Sequence, residues 1–192
     1  MEVKGKKVGF VLTGSFCTFS KVIPIIGDLK KMKADILPIM SYNTYSFDTK
    51  FGKAKEFIDE IERICENKII HTIQEAEPIG PKNLTDIMIV APASGNTMAK
   101  LASDIIDTPA LMAVKSHLRN NLPVVIAPST NNGLAAAAIN IGTLLNRKNY
   151  YFVPFKQDNP ITKPRSVVFD SAYIIPTVEK ALDNEQIEPI LL

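Results

Sequence analysis

Tryptophan is absent from the 192-residue chain, and cysteine and histidine occur only twice each. Cys17, Cys65, His71 and His117 fall in no Cys-x-x-Cys or Cys/His spacing, so the sequence points to no metal site and to two unpaired thiols in a reducing compartment. An excess of one charge is also lacking. Twenty-two basic and 20 acidic side chains leave a net charge of +2, too weak a bias to imply nucleic acid or a membrane as partner. No apolar run approaches the ~18 residues of a membrane helix. No signal-peptide-like segment precedes the first apolar run, so a cytoplasmic protein is expected. Neither G-x-G-x-x-G nor a Walker loop is present, which argues against a nicotinamide dinucleotide site of the usual kind and against a P-loop.

What is present is an alternation of two patterns. Short apolar runs at 7–13, 35–40, 86–91, 123–127 and 150–153 read as buried strands, with 68–71 as a further short one. Between them lie helical periodicities at 16–33, 51–67, 97–104, 109–120, 133–146 and 175–183. The helix at 51–67 is the clearest, with Phe57, Ile58, Ile61, Ile64 and Cys65 on one face and Lys53, Glu56, Asp59, Glu60 and Arg63 on the other. Pro24 interrupts the 16–33 pattern. Residues 77–83 and 158–165, rich in proline, read as loops, the second one exposed. Strands separated by helices imply βαβ units with right-handed crossovers. The expected fold is a single doubly wound α/β domain over 1–192, Rossmann-like or flavodoxin-like, with a parallel sheet and helices on both faces.

Open parallel sheets bind ligands beyond the carboxyl ends of their strands. Four segments are expected there: Thr13-Gly14-Ser15, Ser41 to Thr44, Pro92 to Thr97, and Pro128 to Gly133. All are small, hydroxylated or amide-bearing, and none carries a carboxylate. Such an edge suits a phosphate or an electron-rich ring. Thr13, Gly14 and Ser15 are expected to surround a phosphate, approached by Ser41 and Asn43. Each segment also has a purely structural reading, with Ser15, Ser94 and Thr97 as caps and Asn131 or Asn132 as a turn former.

The run Val90 to Ala102 (VAPASGNTMAKLA) resembles the Pro-Ala-Ser-x-Asn-Thr signature of the flavoprotein superfamily of homo-oligomeric flavin-containing cysteine decarboxylases. Ser103 to Asp107 resembles the turn that follows it there, and Thr13-Gly14-Ser15 the phosphate loop. Further strings, among them Gly9 to Ser15, Ala76 to Lys82, Ser129-Thr130-Asn131 and Val153 to Asp158, resemble a branch of sporulation proteins within it. The resemblance implies FMN as cofactor, held by Thr13, Gly14, Ser15, Ser41, Asn43, Ala93, Ser94, Asn96 and Thr97. It implies one subunit of an oxidoreductase in the mother cell of a spore-former, oxidising dihydrodipicolinate together with an A subunit that carries NADPH or NADH. It also implies a homo-oligomer, trimers or multiples of them, with the apolar stretch at 109–112 near the interface.

Two departures from the decarboxylases bear on the reaction. Their histidine before the strand at 86–91 has no counterpart in Glu77-Pro78-Ile79-Gly80, and His71 lies several residues too early. Their Pro-x-Met-Asn motif is here Pro128-Ser129-Thr130-Asn131. Decarboxylation is therefore the disfavoured alternative, with a non-catalytic cofactor-binding or scaffolding subunit as another. No general base stands out, and Asn96 and Asn131 are the catalytic candidates. Cations for a dicarboxylate are sought in Lys115 and Arg119, four apart on one helix face, in Lys163 and Arg165, and in Lys82.

Overall fold

The computed structural model of the chain describes residues 1–192. Five strands run parallel: β1 (Lys7–Leu12), β2 (Asp35–Met40), β3 (Ile87–Ala93), β4 (Val124–Thr130) and β5 (Tyr150–Phe152). Strands β6 (Phe155–Asn159) and β7 (Lys163–Phe169) form an antiparallel hairpin. The seven-stranded sheet has the order β2-β1-β3-β4-β7-β6, with β5 paired to β4 off that path. The central strands form because their apolar runs are unbroken: β3 is buried along its whole length, and β1 everywhere but Lys7. Strand β4 changes neighbours along its length. Val124 to Ile126 pair with β5, whereas Ser129 and Thr130 at its far end pair with Val168 and Val167 of β7.

The helices are α1 (Phe19–Lys31), α2 (Tyr42–Ser46), α3 (Ala54–Cys65), α4 (Ile73–Ala76), α5 (Gly95–Ala102), α6 (Pro109–Leu118), α7 (Ala138–Leu145) and α8 (Ile174–Leu182). Helices α1 and α8 cover one face; α5, α6 and α7 cover the other, as right-handed crossovers require. Helix α3 buries Ile58, Ile61 and Cys65 against α1 and β2. One apolar cluster runs through the whole sheet and both helical layers. No helix is long and apolar enough to cross a membrane.

The doubly wound α/β class is the one the sequence implies. The sheet is mixed, however, because the expected exposed loop at 158–165 is the tip of the β6–β7 hairpin. Its prolines are compatible with that. Pro160 sits in the short turn between paired Asn159 and Lys163, and Pro164 lies outside the stretch of β7 that pairs with β4. The Asn159 carboxamide oxygen closes the turn by accepting from the N–H groups of Ile161 and Thr162. Three smaller corrections follow the same logic of local hydrogen bonding. The supposed strand at 68–71 is a single bridge between Ile39 and Ile70. Residues 77–83 begin with a 3-10 turn at Glu77–Ile79 that continues α4. The helix expected from 133 starts only at Ala138, because residues 131–137 form turns first. Pro24 leaves α1 unbroken and stands on its exposed side.

Candidate functional site

The carboxyl ends of β1, β3 and β4 are laced together by side-chain hydroxyls. Thr13 Oγ1 donates to the Pro92 carbonyl (2.7 Å) and accepts from the Ser94 N–H (3.0 Å). Ser15 Oγ donates to the Ser129 carbonyl (2.7 Å), and Ser166 Oγ of β7 to the Thr130 carbonyl (3.3 Å). On the β2 side, Thr44 Oγ1 donates to the Ser41 carbonyl (2.9 Å), with the Leu12 carbonyl 3.2 Å away as a second acceptor for the same proton. Ser41 and Ser94 cap α2 and α5 by accepting from the N–H groups of Thr44 and Thr97.

Two cavities open above this lacing. The larger, about 550 Å³, lies between the β1 loop, the start of α1, the end of β4 and the β6–β7 hairpin. Ser15, Cys17, Lys21, Asn131 and Lys163 are among its walls. The smaller, about 350 Å³, lies between Ser41 to Asn43, the first turn of α5, Thr108 and Leu111. Gly14, Ser94 and Asn96 belong to both, so the two spaces adjoin at the mouth of β1 and β3. A Cβ placed on Gly14 would meet nothing within 4 Å, so the space in front of this loop is open to a ligand. Their volumes lie in the range of small-molecule and cofactor sites.

The expected cofactor residues therefore divide. Gly14, Ser41, Asn43, Ser94, Asn96 and Thr97 line the smaller cavity, and Ser15 the larger. Thr13 and Ala93 are fully buried and line neither; the Thr13 hydroxyl is spent on Pro92 and Ser94, a framework role. Asn131 faces the larger cavity, and Asn96 both.

The expected carboxylate-binding cations divide as well. Helix α6 runs against the strand direction, so its last turn lies where the strands begin. Lys115 there borders only a crevice of about 20 Å³, and Arg119 lines none of these cavities. Lys82 also precedes β3 at that far edge. Lys163 does reach the larger cavity, where Asp158 holds it at 2.7 Å; that bond raises its pKa. Arg165 instead donates to the Leu134 carbonyl (3.2 Å). His71 stacks on Tyr45 with ring centroids 3.9 Å apart and lines neither cavity.

Sequence reading missed Cys17, Thr18 and Lys21 of the larger cavity and Lys100, Thr108 and Leu111 of the smaller. Lys21 lies in the first turn of α1, and a helix that starts directly beyond a strand's carboxyl end was the available signal. Lys100 is the one cation of the smaller cavity and pairs with Asp107 at 2.6 Å.

A doubly wound sheet whose carboxyl edge gathers hydroxyls, amides and the N-terminus of α5 around two adjoining cavities is the architecture of a flavoprotein-type α/β protein. The flavoprotein family model matches residues 1–168. Over 191 residues the chain is 43% identical to the dipicolinate synthase B subunit of Bacillus subtilis, covering 100% of this chain and 96% of that protein. The crystal structure of the dipicolinate synthase B subunit from Bacillus halodurans superposes with a TM-score of 0.92 at 43% identity, over 100% of this chain and 98% of that one. The FMN-dependent cysteine decarboxylase SpaF shares the fold, with a TM-score of 0.71 at 18% identity over 95% and 98% of the two chains. The chain belongs to the flavoprotein family and, within it, to the dipicolinate synthase B subunits.

Proposed function

We propose that the chain binds FMN at the β1–β3 edge and serves as one subunit of an oxidoreductase that converts dihydrodipicolinate to dipicolinate. The carrying observation is the likeness to the dipicolinate synthase B subunit along the whole chain. The residues present fit the cofactor: Gly14 leaves open space, and Ser41, Asn43, Asn96 and Thr97 supply neutral donors and the first turn of α5 beside it. In this reading Gly14, Ser41, Asn43 and Lys100 would hold the phosphate end, and Ser94, Asn96 and Thr97 the rest. A bound flavin supplies a hydride acceptor, and aromatisation of the dihydropyridine releases one hydride and one proton. Asn96 and Asn131 orient polar atoms by donating and accepting without adding charge.

A second subunit carrying the nicotinamide in its oxidised form, NADP+ or NAD+, which becomes NADPH or NADH as it takes up the hydride, completes the enzyme, and one observation favours giving it the proton chemistry. The larger cavity contains no histidine, and its one carboxylate, Asp158, is engaged by Lys163. The chain would also form a homo-oligomer. The stretch at 109–112 does not support that, since Pro109, Ala110 and Leu111 are buried inside the protomer. Exposed Leu134, Ile139 and Leu145 around α7 are the better support.

The test is oxidation of dihydrodipicolinate by the chain alone, the partner alone and both together, with FMN titrated into the purified chain and followed by quenching of flavin fluorescence. Turnover by the pair, with stoichiometric quenching, is expected. Full activity of the partner alone would overturn the catalytic role. Unquenched fluorescence at saturating FMN would overturn the flavin site. A monomer in sedimentation at micromolar concentration would overturn the homo-oligomer.

A further inference from the structure

The larger cavity holds two ammonium groups in different states. Lys163, on the hairpin, is occupied by Asp158 at 2.7 Å. Lys21, in the first turn of α1, lines the same cavity and has no carboxylate within ion-pair reach. The other polar lining, Ser94, Asn96 and Asn131 among it, is neutral. The cavity's own residues thus supply two cations and one carboxylate. A ligand with two carboxylates brings the charge that Lys21 lacks and competes for the charge that Asp158 holds.

We infer that the Asp158–Lys163 pair is an entry latch, in which a substrate carboxylate replaces Asp158 on Lys163 while Lys21 takes the second carboxylate from the α1 wall. The inference rests on the dicarboxylate reading above and extends it to residues and an order of events. Exchange is cheap in this setting. The Lys163 and Asp158 side chains are 61% and 32% exposed, and ion pairs so open to water contribute little. Exchange is also selective, because Asp158 left near the cavity repels an anion that fails to bind both lysines. The Asp158 side chain can turn aside while Lys163 stays in place, because Asp158 sits at the register shift between Gln157 and Asn159, outside the paired positions of the hairpin. Lys21 and Lys163 are positioning residues for the substrate's charge.

The two cysteines provide a readout independent of turnover. Cys17 is exposed and lines this cavity, whereas Cys65 is buried and its thiol is pushed up to about 12 by desolvation. An uncharged thiol reagent such as N-ethylmaleimide therefore modifies Cys17 and spares Cys65 in the folded chain.

The experiment is protection of Cys17 in the full-length chain, with and without the partner subunit, by pyridine-2,6-dicarboxylate, pyridine-2-carboxylate and inorganic phosphate. The dicarboxylate is expected to protect, the monocarboxylate to protect at least about tenfold more weakly, and Lys21→Met and Lys163→Met each to weaken protection about tenfold. Asp158→Asn is expected to tighten protection by roughly fivefold, since it removes the competing carboxylate from an exposed pair. Lys115→Met, remote from the cavity, is expected to change nothing. Weaker or unchanged protection in Asp158→Asn would overturn the latch. So would equal protection by mono- and dicarboxylate, or none by either at millimolar concentration with partner present. The expected pattern of protection in a pair that fails to oxidise dihydrodipicolinate would leave the latch standing and overturn the proposed reaction instead. Protection by phosphate alone would overturn both.

Discussion

The hydroxyl of Thr13 donates a 2.7 Å hydrogen bond to the carbonyl oxygen of Pro92, joining the end of β1 to the end of β3 beneath the shared mouth of the two cavities. The same oxygen accepts from the Ser94 N–H, so one side chain satisfies two backbone groups, and Thr13 is 1% exposed. Thr13→Val keeps the shape and leaves both groups without a partner. Such orphaned buried groups cost about 1–3 kcal/mol. The expected outcome is a lower urea midpoint with unchanged slope, and weaker FMN binding because Ser94 and Gly14 lose their common anchor. Thr13→Ser retains the hydroxyl and should recover most of both. If Thr13→Val proved as stable as the parent but lost the cofactor, the hydroxyl would be touching ligand rather than framework.

Gly95 is held to its small size by a neighbour across the site. A Cβ there would lie 2.5 Å from Thr130 Oγ1, which is itself engaged as donor to the Asn132 carboxamide oxygen at 2.6 Å. Gly95→Ala must push the α5 turn and the end of β4 apart, at a cost of about 1–3 kcal/mol. Thr130→Ala removes the oxygen in the way, although the Thr130 Cβ would still be only 3.2 Å off. A double-mutant cycle read by denaturant midpoints should therefore show favourable coupling, the pair being more stable than the sum of the single changes. Simple additivity would mean that the turn relaxes without involving Thr130.

The sequence made the framework legible wherever a strand was an unbroken apolar run, as in β1, β3 and β4, and the motif from Val90 to Ala102 does fall at the cavities' common edge. It failed where the pattern is polar. Strand β6 buries Phe155 and exposes the next four residues, so nothing in its composition distinguishes it from a loop. Only pairing with β7, and of β7 with the end of β4, makes it a strand and brings Lys163 to the site. Thr13 and Ser15 show an ambiguity of another kind. A hydroxyl at a strand end is equally suited to a phosphate and to a neighbouring carbonyl, and the carbonyls of Pro92 and Ser129 claim these two. Lys115 and Arg119 share a helix face, but helical spacing alone does not tell which end of the sheet that face adjoins.

His117 makes the fold sensitive to pH. It is 1% exposed, with Nδ1 2.8 Å from Thr85 Oγ1 and Nε2 2.9 Å from the Pro123 carbonyl. A carbonyl only accepts, so Nε2 carries the proton and Nδ1 accepts from Thr85. Desolvation holds the ring neutral and lowers its pKa from 6.5 to about 4, opposed by the Pro123 bond and by Asp86. The unfolded chain, with the ordinary value, takes up a proton first as pH falls. Stability due to the neutral ring is therefore full above about 6.5, is lost progressively down to about 4, and falls no further below that. A tenfold change in acidity is worth about 1.4 kcal/mol, so the whole loss is roughly 3 kcal/mol. In urea unfolding, the parent is expected to lose more stability between pH 7 and pH 5 than His117→Gln, which cannot charge. Parallel pH curves for the two would place the acid sensitivity in the carboxylates instead.

Asn96 is the second residue of α5 and borders both cavities, and Asn131 follows β4 on the wall of the larger one. Both are exposed, so neither side chain supports the core. Asn96→Asp puts a negative charge at a helix N-terminus, where the helix dipole favours it, and should leave stability equal or slightly raised. The same charge faces the space assigned to an anionic cofactor and a dicarboxylate substrate. Asn131→Asp likewise places a second carboxylate in a cavity whose only present one is Asp158. Each variant, combined with the partner subunit, is expected to lose more than about tenfold in kcat/KM, or about 1.4 kcal/mol of transition-state stabilisation. Asn96→Asp should weaken FMN binding as well, whereas Asn131→Asp should chiefly raise KM for dihydrodipicolinate. Unchanged turnover in both variants would remove this edge of the sheet as the site. Loss of folding in Asn96→Asp would assign the residue to the turn it begins, since electrostatics at that position favour the carboxylate.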